Sequence, residues 1–155
     1  MSSILFKFDP NLHYFGTTLI NESIHKLPKY SQKNSSLFRG VQLPKELFNH
    51  INETRKYVEN GFFSTSRELE RAEHFMIMDI KPEQDWIIGV FEVIQSDAGI
   101  NLSEYTGEQQ LDGVEILFPK DIEFEVVEIQ LDEKVFVDGT REMFRIKMHQ
   151  TNNKN

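Results

Sequence analysis

Three short segments of this 155-residue chain carry side chains suited to chemistry. Glu115 sits in Val114-Glu115-Ile116-Leu117-Phe118, a run that predicts a short strand with Val114, Ile116 and Phe118 on one face and Glu115 and Leu117 on the other. A carboxylate there is costly unless used or paired, and one that is well held can stabilise positive charge developing in a transition state. Arg39 lies in Ser36-Leu37-Phe38-Arg39-Gly40-Val41-Gln42-Leu43-Pro44. A guanidinium fixed between apolar neighbours can grip phosphate or ribose oxygens through forked hydrogen bonds, a task Lys does poorly. Gly40 beside it would let a ligand approach the backbone closely. Ser64-Thr65-Ser66 follows Gly61-Phe62-Phe63, and the Ser64 hydroxyl could orient a carboxylate without itself reacting.

Each segment also has a plainer account. Glu115 taken alone reads as an edge-strand glutamate facing solvent, and Arg39 as a surface arginine. Ser64-Thr65-Ser66 reads as a strand end running into a helix cap.

The rest of the composition narrows the chemistry. The chain has no cysteine, which excludes disulfides, thiol nucleophiles and thiolate metal sites. The five histidines, His13, His25, His50, His74 and His149, are scattered without a His-x-x-x-His pair, so no metal is implied. The net charge of −8 is uneven: residues 101–155 hold 12 acids against 6 bases, whereas residues 26–71 hold nine bases against five acids. A local basic face could hold a diphosphate on a protein that otherwise repels polyanions, and a large nucleic-acid footprint is disfavoured. No apolar run approaches the roughly 18 residues of a membrane span. The N-terminus lacks the charged, apolar and cleavage regions of a signal peptide, so the expected compartment is the cytoplasm.

The elements that must position these residues follow from periodicity. Leu19, Ile20, Ser23, Ile24 and Leu27 recur at helical spacing before Pro28. A second helix is expected from about Pro44, with Leu47, Phe48, Ile51 and Val58 as its buried stripe. A third follows a capping box of Thr65 and Glu68, with Leu69, Ala72, Phe75 and Met76 as its apolar face. The second half reads as strands. Residues 86–94 are apolar on both faces, as in a central strand covered on both sides. Residues 114–118 and 122–131 flank Pro119, and a change of phase at Val126-Val127 predicts a bulge. Lys134–Val137 and Met143–Met148 form a hairpin around Asp138-Gly139. The expectation is one α+β domain over residues 1–149, with a helical N-terminal half, a strand-rich C-terminal half and a polar, frayed tail over 150–155.

In combination the three segments are more specific. Arg39 precedes Ser64 by 25 residues, and Ser64 precedes Glu115 by 51. This order resembles the arginine, Ser-Thr-Ser, glutamate class of mono-ADP-ribosyltransferases, of cholera-toxin-like, ecto-transferase and Rho/actin-modifying exoenzyme type. The likeness runs from about residue 19 to 130, and takes in Leu27-Pro28-Lys29-Tyr30, Ile100-Asn101-Leu102-Ser103-Glu104-Tyr105-Thr106 and Glu115-Ile116-Leu117-Phe118-Pro119. It implies a single domain built around a split β-sheet with a cleft for NAD+ as co-substrate, and no metal. Arg39, Gly40, Ser64, Thr65, Phe75 and Glu115 would bind NAD+. Among them Arg39 would contact the diphosphate and adjacent ribose, Ser64 would hold Glu115, and Thr65 would support the strand. Glu115 would bind the nicotinamide-ribose 2′-hydroxyl and stabilise the cation left as nicotinamide departs.

The resemblance also implies a cofactor-covering loop near Asp79 to Asp85 and an acceptor loop carrying Tyr105, Glu108, Gln109, Gln110, Asp112 and Gly113. Two residues before the catalytic glutamate the family usually carries Glu or Gln, and here stands Gly113, which cannot orient a guanidinium. The expected acceptor is therefore a protein side chain other than arginine, or a nucleobase. NAD+ glycohydrolysis, with water as acceptor, is the alternative, and a weakly catalytic NAD+- or protein-binding module is a third. A toxin, effector or phage-related protein, with an inhibitory or antitoxin partner, would fit such a chain.

Overall fold

The computed structural model describes residues 29, 30, 32, 35–78, 85–101, 115–136 and 139–151. Its elements in chain order are β1 (Leu37–Pro44), α1 (Lys45–Thr54), β2 (Lys56–Glu59), β3 (Phe63–Ser66), α2 (Leu69–Met76), β4 (Trp86–Gln95), β5 (Ile100–Asn101), β6 (Glu115–Phe118), β7 (Ile122–Phe136) and β8 (Gly139–Gln150). The strands form one mixed sheet in the order β2-β7-β8-β4-β1-β3-β6-β5, with β4 and β8 parallel.

The α+β expectation holds, but the first half is not mainly helical. Its described residues give three strands and two helices, and the helix expected over residues 19–27 lies outside the described residues. β1 pairs along its whole length with β4, from Leu37 opposite Val93 to Pro44 opposite Trp86. That partner is some fifty residues away in sequence, so local periodicity does not announce the strand.

The sheet curls on itself. Tyr57 of edge strand β2 lies three places from β4 in the ladder, which in a flat sheet would be about 14 Å, yet its ring stacks on Phe91 at 4.7 Å. The enclosed core gathers Phe63 and Phe118 from one end, Phe91, Phe124 and Phe144 from the other, and Phe48 and Ile51 from α1. Helix α2 covers the opposite face, where Ala72 and Met76 pack on Ile88 and Val90 of β4. β4 is thus buried on both sides from Ile87 to Phe91, as its apolar run there requires.

Helix α1 begins directly after Pro44 and buries Phe48 and Ile51. Val58, expected on its stripe, is instead 45% exposed in β2. The helix has ended by then, because Arg55 turns left-handed at φ 58° and returns its N–H to Ile51. The capping box before α2 does not form. The Thr65 hydroxyl donates across the strands to the Ile116 carbonyl at 2.8 Å, and Ser66 Oγ accepts the Glu68 N–H at 3.0 Å. The bulge falls where the phase changes: Val126 opposes Met148 and Glu128 opposes Lys147, leaving Val127 out of register. β7 nevertheless runs on to Phe136, making one long hairpin with β8. Gln150, expected to start a frayed tail, closes β8 and accepts the N–H groups of Asp97 and Ala98 at 3.0 Å each.

Candidate active site

The strand pairing brings Arg39, Ser64 and Glu115 together from three places in the chain. β3 and β6 pair in antiparallel register, with Ser64 opposite Leu117 and Ser66 opposite Glu115. Paired residues share a face, so Phe63, Thr65, Ile116 and Phe118 turn to the core while Ser64, Ser66 and Glu115 turn to the other side. Ser64 Oγ donates to Glu115 Oε2. Glu115 is only 5% exposed and Ser64 only 9%, which removes the reading of Glu115 as a solvent-facing edge residue. A hydroxyl donor holds this carboxylate in one orientation while leaving its charge available.

β1 and β3 are joined by a single rung, Phe38 opposite Ser66, beyond which they part. Arg39 bridges the gap, with Nη1 donating to the Ser64 carbonyl at 3.1 Å. A side chain thus stands where a continued ladder would have placed a backbone N–H. Its guanidinium lies 5.0 Å over the Phe63 ring, itself packed on Phe124 at 5.2 Å and Phe91 at 5.9 Å. Burial pushes the Arg39 pKa below its ordinary value, opposed by the carboxylates of Glu59 and, more weakly, Glu115. Arg39 Nε is buried and has no hydrogen-bond partner among the described residues.

These residues line a cavity of about 260 Å³ whose other walls include Phe38, Gly40, Thr65, Ser66 and Phe75. Arg71 of α2, not foreseen from sequence, adds a second cation to the lining and lies 5.7 Å from the Phe75 ring. Its spacing of four from Phe75 on a helix was the available signal. Gly40 lines the cleft and is also required by the packing behind it. A Cβ there would come within 1.8 Å of the Ala72 carbonyl and 2.7 Å of the Met76 nitrogen, so the close approach is that of helix α2. The acceptor-loop residues Tyr105, Glu108, Gln109, Gln110, Asp112 and Gly113 lie outside the described residues, as do residues 79–84 of the expected covering loop. Among the described residues no group of His, Cys, Asp and Glu is placed to hold a metal ion. None of their helices is long and apolar enough to cross a membrane.

The arrangement can hold an anion at Arg39 and Arg71 and stabilise a cationic centre at Glu115, inside one cleft with aromatic walls. Residues 13–154 match the family of ADP-ribosyltransferase exoenzymes. The chain belongs to that family. Over 114 residues the chain is 30% identical to Vis of Vibrio splendidus (strain 12B01), named as an NAD(+)–arginine ADP-ribosyltransferase, covering 72% of this chain and 43% of Vis. The chain therefore spans less than half the length of that relative. The crystal structure of the ADP-ribosyltransferase Vis in complex with agmatine shares the fold, with a TM-score of 0.70 at 19% identity over 98% of this chain and 65% of that one. So does the Salmonella SpvB ATR domain, with a TM-score of 0.52 at 15% identity over 92% and 73% of the two chains.

Proposed function

We infer that this chain is an NAD+-dependent mono-ADP-ribosyltransferase, and the observation that carries this reading is the Ser64-held, buried Glu115 beside Arg39 in one cleft. Arg39, with Arg71 beside it, would take the diphosphate, while Gly40, Thr65 and Phe75 form the surrounding walls. The bond between ribose C1′ and the nicotinamide nitrogen breaks, and its electron pair leaves with nicotinamide. Glu115 offsets the positive charge that develops on the ribose. An acceptor nucleophile then bonds to C1′ and loses its proton.

The acceptor we favour is a protein side chain other than arginine, or a nucleobase, because Gly113 supplies no side chain to orient a guanidinium two residues before Glu115. Arginine is the second reading, favoured by the assignment of Vis. The reaction would take place in the cytoplasm of the producing or a target cell, in a toxin, effector or phage-related setting where an inhibitory partner is expected.

Incubation of the chain with NAD+ labelled in the ADP-ribose, together with cell lysate, tests this. Label on protein or nucleic acid supports transfer, whereas free ADP-ribose alone would make the chain a glycohydrolase. Agmatine labelled as efficiently as the best macromolecular acceptor would reject the non-arginine reading. Glu115→Gln should slow nicotinamide release by roughly 100-fold while NAD+ affinity is kept, and unimpaired release would remove Glu115 from the reaction.

A further inference from the structure

Arg39 has a second side. Besides the cleft it shares with Ser64 and Glu115, it lines a neighbouring cavity with Val41, Tyr57, Glu59, Phe75 and Met78. Tyr57 and Glu59 belong to β2, the far edge of the sheet, and only the curl brings them here. Glu59 is firmly placed. Its main-chain carbonyl accepts the Asp121 N–H at 2.8 Å, and Lys56 to Glu59 pair residue by residue with Glu125 to Ile122. The Tyr57 hydroxyl donates to Glu59 Oε1 at 3.2 Å, while the Tyr57 ring is anchored on Phe91. The cross-strand partner of Glu59 is an apolar residue, Ile122, so the ladder itself gives its carboxylate no counter-charge.

Glu59 makes no ion pair with Arg39 within 4 Å, so its influence crosses the cavity as a field rather than as a contact. Inside a protein such a field is much less weakened than in water. Among the acids around Arg39 it opposes the effect of burial more than Glu115 does. We propose that Glu59, steadied by Tyr57, is a positioning residue for NAD+. Its carboxylate holds the Arg39 guanidinium across the gap between β1 and β3, in place for the diphosphate when NAD+ enters. This rests on the function proposed above and adds to it a residue from the opposite edge of the sheet.

The consequence is specific to binding. Glu59→Gln keeps an acceptor for the Tyr57 hydroxyl and removes only the charge, so the dissociation constant for NAD+, measured by calorimetric titration, should rise about 5- to 10-fold. KM for NAD+ in nicotinamide release should rise in parallel, with kcat changed less than about twofold. Glu59→Asp, which retains the charge, should restore most of the affinity, and Tyr57→Phe should weaken binding less than Glu59→Gln. In an Arg39→Gln background Glu59→Gln should have no further effect, since the residue it acts through is gone.

An unchanged or tighter NAD+ affinity in Glu59→Gln overturns the proposal, and tighter binding would mean that Glu59 competes with the diphosphate for Arg39. An equal loss in the Arg39→Gln background also overturns it, by assigning the effect to the fold. Failure of the unaltered chain to bind NAD+ refutes the proposed function and this inference with it. Normal binding that is insensitive to Glu59 refutes the inference alone.

Discussion

Two acids, the buried Glu115 and the half-buried Glu92, are settled in opposite ways. Glu115 is held by a hydroxyl and faces the cleft. Glu92 accepts from Ser36 Oγ and from Arg145 Nη1, both at 2.7 Å, and its side chain is 12% exposed. Burial alone would raise the Glu92 pKa, but the hydrogen bonds from Ser36 and Arg145 outweigh it and hold the carboxyl below its ordinary value. A folded-state pKa below the unfolded one, about 4.3, means that the stabilisation is complete above the unfolded value and is lost as pH falls through the lower folded one. Glu92→Gln should therefore cost about 1–2 kcal/mol at pH 7, with the gap between variant and parent closing at acid pH, once the lowered folded-state pKa is passed, in urea titrations. An equal gap at both pH values would show that shape, not charge, matters there. Arg145 also lies 5.8 Å over the Phe38 ring, so this pair supports one wall of the cleft. Arg39, Ser64 and Glu115 were legible because their segments have distinctive residues in a fixed order. Arg71, Tyr57 and Glu59 were not, because their place at the site depends on how α2 and the curled sheet lie in space.

At the scale of elements, the contact between α2 and β1 is the most demanding. The Cβ of Gly40→Ala would meet main-chain atoms of Ala72 and Met76, which cannot swing aside as a side chain could. The helix must lift from the sheet, at a cost of roughly 1–3 kcal/mol, carrying Arg71 and Phe75 with it. Thermal unfolding and NAD+ titration of this variant should both show losses; unchanged values in both would mean that the helix is not seated as described. The elements visible in the sequence were those with strong local signals. Pro44 with Leu47, Phe48 and Ile51 marked α1, the two-faced apolar run marked β4, and the phase change at Val126-Val127 marked the bulge. β1 and β2 were hidden because their stability comes from ladders with β4 and β7, which follow them by dozens of residues. The capping box misled because Thr65 has a better partner in the Ile116 carbonyl, contributed by a strand fifty residues on.

Taken whole, the molecule is a sheet whose two ends face each other over a phenylalanine core. Its broad charge pattern was readable in advance, since the basic stretch over residues 26–71 contains both Arg39 and Arg71, while most of the net charge of −8 falls after residue 100. The curl was not readable, because alternation fixes which face of a strand is buried and says nothing about which distant strand lies beyond it. One further property follows from the single rung between β1 and β3. A sheet with full ladders elsewhere and one rung here has a seam, and warming should part it along that line first. Nicotinamide release should then fade several degrees below the loss of far-ultraviolet circular dichroism, and should recover on cooling, since the strands on either side of the seam remain folded. Simultaneous loss of both signals would mean that the seam is as firm as the rest of the sheet. Behaviour of this kind would make the protein a thermal fuse, able to lose its activity before it loses its shape.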